Sequence, residues 1–408
     1  MSVMRRDVVV AGGGMVGLTL ALALAQGGLA VTLADPLTPE QMADQRFDGR
    51  VSAIAFASVR MLRVLGLWDR LIADAQPILD IVVTDGQLGR SASPFSLHFD
   101  HNEIGETLGY IVENRHIRQA LLAAVAEEKR IDFKPGVAAG DLKVGAAHAT
   151  LVLSDETTCT SPLVVAAEGR DSPLREAQGI KTVGWEYPQT GIVTTVEHER
   201  PHNGVAYEHF LPVGPFAILP MTGNRSSLVW TEDVKEARRL VALDEKGFTA
   251  ALALRFGAHL GEVTAAGPRW TYPLKLYLAR TYVTDRFALV GDAAHTIHPI
   301  AGQGLNLGLK DVAALAETIL DAARLGLDFG RLDVLARYER WRRFDSFVLA
   351  AVTDGLNRLM SNDLVPVRLV RDLGMGVVDQ IPPLRRFFMR HAGGDVGTLP
   401  RLLKGEAA

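Results

Sequence analysis

The sequence predicts an α/β fold in three parts: a discontinuous domain with a parallel sheet, an antiparallel sheet inserted between its pieces, and a helical C-terminal region. Three observations predict it. Short β-branched strands run into glycine-rich turns both near the start and in the last third of the 408-residue chain. The stretch between them alternates in places and is broken by Gly and Pro turns. From Arg340 onward the pattern becomes helical. A chain of this length exceeds one core of usual size, so two domains, or one with a large insertion, are expected.

Composition narrows the class. Hydrophobic residues make up 48% and charged ones 22% of the chain, which argues for a packed enzyme-like protein and against disorder. A net charge of −4 gives no reason to expect nucleic acid. Cys159 is the sole cysteine, so no intrachain disulfide or cysteine metal cluster can form, and a reducing compartment fits. The basic N-terminus lacks a small-residue cleavage site, and the apolar run Leu18 to Ala34 is interrupted by Gln26-Gly27-Gly28. Neither a signal peptide nor a membrane span is therefore expected.

The first strand is Asp7-Val-Val-Val-Ala11, of the kind buried in parallel sheets. It enters Gly12-Gly13-Gly14-Met15-Val16-Gly17, a G-x-G-x-x-G, and then a helix-permissive apolar run, Leu18 to Ala25. A second strand, Ala30 to Ala34, ends in Asp35. This strand–turn–helix–strand–acid order assigns a role to each residue. Gly12 makes the tight turn, Gly14 lets a pyrophosphate approach the backbone, Gly17 packs helix on strand, and Asp35 takes ribose hydroxyls. The acid favours an unphosphorylated ribose, leaving NAD or FAD in this site.

A later strand, Asp285 to Val290, delivers Gly291-Asp292 to a strand's C-terminal edge, where open α/β sheets bind ligands. Pro299 to Gly304 reads as a loop and Leu305 onward as a helix whose first turn, Gly-Gln-Gly-Leu-Asn, presents free N–H groups. A plain NAD dehydrogenase has no use for a second ligand-facing helix start, whereas a reduced flavin carries negative charge that such a start stabilises. His295-x-x-His298 suggests metal, but further ligands at suitable spacing are missing and Pro299 breaks any helix that would align the pair. No metal site is expected, and bracing of the loop is the preferred role for His295 over proton donation.

These residues resemble the PHBH-fold (group A) FAD-dependent aromatic monooxygenases, and among them the ubiquinone-biosynthesis hydroxylases. The three fingerprints of that family are similar to Gly12–Gly17, to Ala167-Glu-Gly-Arg-Asp-Ser-Pro-Leu-Arg175 and to Gly291-Asp-Ala-Ala-His295. The narrower likeness lies in His298 to Leu315, Leu108 to Arg115 and Asp354 to Asn362. The resemblance implies a Rossmann-like FAD-binding domain in three pieces, 1–77, 104–180 and 269–340. It further implies a substrate domain from 78–103 and 181–268, and a C-terminal helical region, 341–408.

Carried over by position, Asp292 would hold ribitol hydroxyls, and Pro299, with His295, would lie near the isoalloxazine. Gly302, Gly304, Leu305 and Asn306 would bring backbone N–H groups to the pyrimidine edge. Arg50 and Asn114 or Arg115 would brace pyrophosphate and ribose. One departure stands out: the central fingerprint normally carries Asp-Gly, and here has Glu168-Gly169. The expected chemistry is borne by the cofactor. NAD(P)H reduces FAD, O2 adds to give a flavin C4a-hydroperoxide, and the distal oxygen passes to an aromatic ring, so no protein catalytic group is required.

The expected substrate is a polyprenylated phenol. Another aromatic substrate, or a flavin-binding subunit without turnover in a ubiquinone-biosynthesis complex, remain as alternatives. Phe210, Phe216, Leu219 and Trp230 are candidate cavity residues, with plain core as the competing role. The basic-aromatic run Leu384-Arg-Arg-Phe-Phe-Met-Arg390 is a capping helix or a contact for an anionic membrane or a partner protein. The expected setting is cytoplasmic, with peripheral attachment to the inner membrane left open.

Overall fold

The structure, a computed structural model, describes residues 3–42, 49–86, 96–298, 302–361, 374 and 376–408. The expected strands Val8–Ala11 and Val31–Asp35 lie side by side in a six-stranded sheet. Leu163–Ala166 and Phe287–Leu289 extend it on one side and Ile131–Pro135 on the other, all parallel. An edge strand, Val283–Thr284, is antiparallel. Every residue of Val8–Ala11 and Leu163–Ala166 is buried, which is why both read as unbroken apolar runs rather than alternations.

The helix Met15–Gln26 follows the first turn and is buried along most of its length. Its all-round apolar character belongs to a helix enclosed by protein, here in one core with the sheet and the helix Gly304–Arg324. No helix among the described residues is long and apolar enough to cross a membrane.

The second large sheet has nine strands. Its strands are Asp80–Asp85, Ser96–Asp100, Thr182–His198, Val205–Leu211, Gly214–Met221, Arg225–Asp233, Val263–Ala265, Trp270–Ala279 and His295–Thr296. Neighbours pair antiparallel except at one seam, where Val205–Leu211 runs parallel to Asp80–Asp85. A hairpin cannot make a parallel pair, and these strands come from opposite ends of a long crossover through the first domain.

Strand alternation splits this sheet into two faces. Phe216 and Trp230 point to a core shared with Phe248 and Phe256 of the helix Glu245–Phe256. Phe210 and Leu219 instead line a cavity on the other face. The C-terminal region is helical: Leu332–Met360 spans 29 residues, and Pro382–Ala392 and Arg401–Lys404 follow. Most of the expected segment Leu364 to Val378 lies outside the described residues.

Candidate active site

The glycine turn is packed to contact. A Cβ on Gly17 would sit 1.9 Å from the Gly12 carbonyl oxygen, and one on Gly12, at φ +105°, 2.4 Å from that of Ala167. Gly14 is different: a Cβ there would meet nothing within 4 Å, and no side chain caps the helix it begins. The turn is thus tight inward and open outward, the shape a pyrophosphate needs. Asp35 is buried, and its two carboxylate oxygens accept N–H groups from Gly13 at 2.6 Å and Leu37 at 2.8 Å. Each oxygen keeps a lone pair for a ribose hydroxyl.

The distal segment reaches the same place. Cβ atoms on Gly291 and Gly308 would lie 3.2 Å and 2.6 Å from the Val16 side chain, so the late strand end, the second helix and the first turn converge there. Beyond them opens a cavity of about 940 Å³. Of the residues expected in the site, it brings together Arg50, Asn114, Asp292, Gly302, Gly304, Leu305 and Asn306, with His295 in the same wall. Gly12, Gly14, Gly17, Asp35, Arg115 and Glu168 lie outside it, and Pro299 falls outside the described residues.

The helix Gly304–Arg324 starts without a side-chain cap or an acid in its first turn, leaving its positive end facing the cavity. Asn306 fixes that start. Its Oδ1 accepts from the Ala55 N–H and the Ser58 hydroxyl, both at 2.9 Å, while its Nδ2 donates to the Ala53 carbonyl at 2.7 Å. The Asn306 side chain is therefore consumed by the scaffold, and only its backbone is offered to a ligand. Asn114, which lines the cavity, accepts the Ser52 hydroxyl at 2.7 Å. Arg115 is turned to Glu113 at 2.7 Å. Of those two, Asn114 lines the cavity and Arg115 does not.

Glu168 also serves the scaffold. Its Oε2 accepts from the Ser172 hydroxyl at 2.6 Å and the Leu174 N–H at 3.1 Å, bracing the short helix Pro173–Ala177. Burial raises its carboxyl above the ordinary range, and those two bonds pull the other way. The extra methylene lets the acid reach its own turn. Its neighbour Arg170 does line the cavity, beside Asp292. The Asp292 carboxyl is enclosed by protein yet open to the cavity; desolvation raises it, opposed by His295 and Arg170.

The two histidines separate. The His295 Nε2 lies 2.5 Å from Asp311 Oδ2, which also accepts the Gly291 N–H at 3.0 Å. Asp311 Oδ1 accepts from Arg342 Nε at 2.9 Å, and Arg342 continues to Asp345 at 2.6 Å. Burial pushes the Asp311 carboxyl up, but the His295 and Arg342 charges overcome it and hold it below the usual range. His295 is thereby a brace on the Gly291-Asp292 turn. His298 is fully buried, stands edge-on to Tyr187 at 5.1 Å, and has no partner on either ring nitrogen among the described residues. Burial pushes it down to about 4, so it is neutral at pH 7.

The motif Asp354 to Asn362 turns out to be a staple as far as it is described. Asp354 accepts the Tyr187 hydroxyl at 2.8 Å, and Asn357 donates to Gln189 at 2.9 Å, tying the long helix to the sheet. Sequence reasoning missed Arg170, and it missed the Asp311–Arg342 pair. For Asp311 a signal was present: it shares a helix face with Leu307 and Leu315, and an acid on an apolar face requires buried partners.

The FAD binding domain family matches residues 5–343 of the chain. A "Ubiquinone hydroxylase UbiL" of Rhodospirillum rubrum is 50% identical over 407 residues, covering 98% of this chain and 92% of that protein. The 3-demethoxyubiquinol 3-hydroxylase of Escherichia coli is 35% identical, covering 95% and 98%. The crystal structure of p-nitrophenol 4-monooxygenase PnpA from Pseudomonas putida DLL-E4 superposes with a TM-score of 0.79 over 98% of this chain and 100% of that one; at 19% identity it speaks for the fold. The two converging helix starts, open at Gly14 and Gly304, suit a dinucleotide that joins a phosphate end to a ring end, and the chain accordingly belongs to the FAD-binding monooxygenases, in the family of the ubiquinone-biosynthesis hydroxylases.

Proposed function

We propose that this protein is an FAD-dependent monooxygenase that hydroxylates the aromatic ring of a polyprenylated phenol in ubiquinone biosynthesis, using O2 and NAD(P)H. One observation carries the reading. The cavity runs without a break from Asp292 and Gly304, on the flavin side, to Phe388 and Met389 of the C-terminal helix, and its far walls are apolar. Such a space accepts a small ring beside the cofactor and a hydrocarbon tail behind it. The names of the R. rubrum and E. coli relatives support the same substrate class.

In this reading Gly12, Gly14, Gly17 and Asp35 hold the adenosine and pyrophosphate end of FAD. Asn114, with Arg50, braces the middle, Asp292 the ribitol, and the Gly302–Asn306 backbone the flavin ring. Bound FAD supplies the redox and oxygen-activating chemistry. The chain orients the ring, excludes water and offers the positive helix end at Gly304 to the negative charge of reduced flavin. The test is direct. The purified protein should be yellow, consume NADPH faster when 2-geranylphenol is added, and yield that phenol plus one oxygen by mass spectrometry. NADPH oxidation with no hydroxylated product from any prenylated phenol would return the chain to the non-catalytic or other-substrate alternatives.

The same geometry supports contact with a membrane surface. Phe344, Phe347 and Phe387 are exposed, by 74%, 61% and 51%, on the helices that bound the cavity, and Arg386 and Arg390 are exposed on the helix of Phe387. Arg385 is engaged by Glu103 at 2.9 Å. Aromatic residues flanked by arginines suit an anionic bilayer. Deleting 384–408 would remove the buried Met389, Leu402 and Leu403, so point changes are the cleaner probe. Phe344→Ser with Phe387→Ser should cut flotation with phosphatidylglycerol vesicles at least tenfold while leaving flavin content intact. Equal flotation of variant and parent would remove the membrane from this reading.

A further inference from the structure

Among the described residues, two acids line the cavity: Asp292 on the flavin side and Glu208 in the sheet. Glu208 is out of place. It sits between Ala206 and Phe210 on Val205–Leu211, and these three share the face that looks into the cavity. Tyr207 and His209 point the other way, where Tyr207 packs on His259 with ring centroids 4.4 Å apart. The cross-strand neighbours of Glu208 are Val83 and Ala217, both apolar. No hydrogen bond or ion pair reaches its carboxyl among the described residues. Arg50, Arg170, Lys275, His295 and His298 line the same cavity, yet none of them perturbs Glu208; burial alone pushes its carboxyl up to about 7.

A carboxyl that faces a largely apolar cavity wall without a protein partner costs stability, and an apolar residue would fill the position more cheaply. A ligand that brings its own donor removes that cost. We propose that Glu208 holds the ring hydroxyl of the phenolic substrate, its carboxylate accepting the O–H hydrogen bond while the apolar walls take the tail. This rests on the reading of the chain as a phenol hydroxylase. The bond does two things. It fixes which ring carbon faces the flavin side, and it draws the phenolic proton toward Glu208, leaving more electron density on the oxygen and on the ring positions conjugated to it. The proton stays in the O–H···O bond and returns with the product, so nothing beyond O2 and the nicotinamide donor is consumed.

The test compares the holoenzyme with its Glu208→Gln and Glu208→Leu variants, on 2-geranylphenol and on the methyl ether of that phenol. Binding is read from the flavin absorbance change on titration. The parent should bind the phenol at least about tenfold more tightly than the ether, the scale of one hydrogen bond to a charged group. Both variants should bind the ether as the parent does; the Leu variant should lose that preference, and the Gln variant, whose amide oxygen accepts only a neutral hydrogen bond, should lose most of it. In the parent, kcat/KM for the phenol should rise with pH through about 7 as Glu208 ionises, and the Gln variant should be flat there. Both variants should melt at or above the parent temperature, so misfolding cannot account for the loss. Variants that keep both the preference and the pH step overturn the proposal, and so does a parent with no preference. A parent that prefers the phenol in binding but never hydroxylates it would sink the hydroxylase reading alone, and the binding comparison would still decide Glu208.

Discussion

Asp292→Ala is expected to purify folded and colourless. The Asp292 side chain opens onto the cavity and holds no part of the scaffold in the hydrogen bonds of the described residues, so its removal leaves the fold intact. Two ribitol hydroxyl bonds to a carboxylate are worth about 1.5–3 kcal/mol each, so flavin affinity should fall roughly a hundred- to ten-thousand-fold. The thermal midpoint of the apoprotein should match that of the apo parent. Absorbance of the purified variant settles it: a full complement of flavin would mean that the Gly291-Asp292 turn faces something other than the cofactor.

Asp311→Ala should have the largest effect on stability. Asp311 is fully buried and takes bonds from Gly291, His295 and Arg342 at once. Removing it leaves the buried Arg342 charge with Asp345 as its remaining acid, a loss approaching the about 3–5 kcal/mol of a broken buried pair. Because its carboxyl is held low, its contribution is complete above the ordinary value of 3.8 and is lost as pH falls through the lower folded value. The parent should therefore lose stability on acidification in that range, and the variant should lose less. Urea unfolding at neutral pH gives the first number, and a change under about 1 kcal/mol would show that Arg342 is satisfied elsewhere. Adding Arg342→Met to Asp311→Ala should recover part of the loss, since it removes the stranded charge.

The contrast between these two acids shows how much the sequence could say. The position of Asp292 on the cavity wall was legible because strand, turn and helix around it form a short contiguous motif, and so was the tight packing of the Gly12–Gly17 turn. The parallel sheet was legible for the same reason. Asn306 and Glu168 were only half legible. Each lies in a motif that points to the cofactor, yet their side chains are engaged by Ala53, Ala55 and Ser58 in one case and by Ser172 and Leu174 in the other. Those engagements depend on how distant segments meet or on a local turn that a motif does not encode. Glu208 gave no signal at all. A single acid in an alternating strand reads as a solvated position until the opposite wall of the cavity is in place. His298 shows the converse, a residue whose spacing hinted at metal and whose surroundings instead keep it neutral, without a partner among the described residues.

The one parallel seam has a consequence for engineering. The strand Val205–Leu211 is zipped to Asp80–Asp85 at a sequence separation of 125, as between Thr84 and His209. The sheet wall of the cavity is therefore not encoded by one contiguous gene fragment. A chimera that transplants residues 182–279 alone would abandon Val83, the parallel neighbour of Glu208, and the whole outer hairpin to the recipient. Exchange of cavity walls between relatives would have to carry both pieces together.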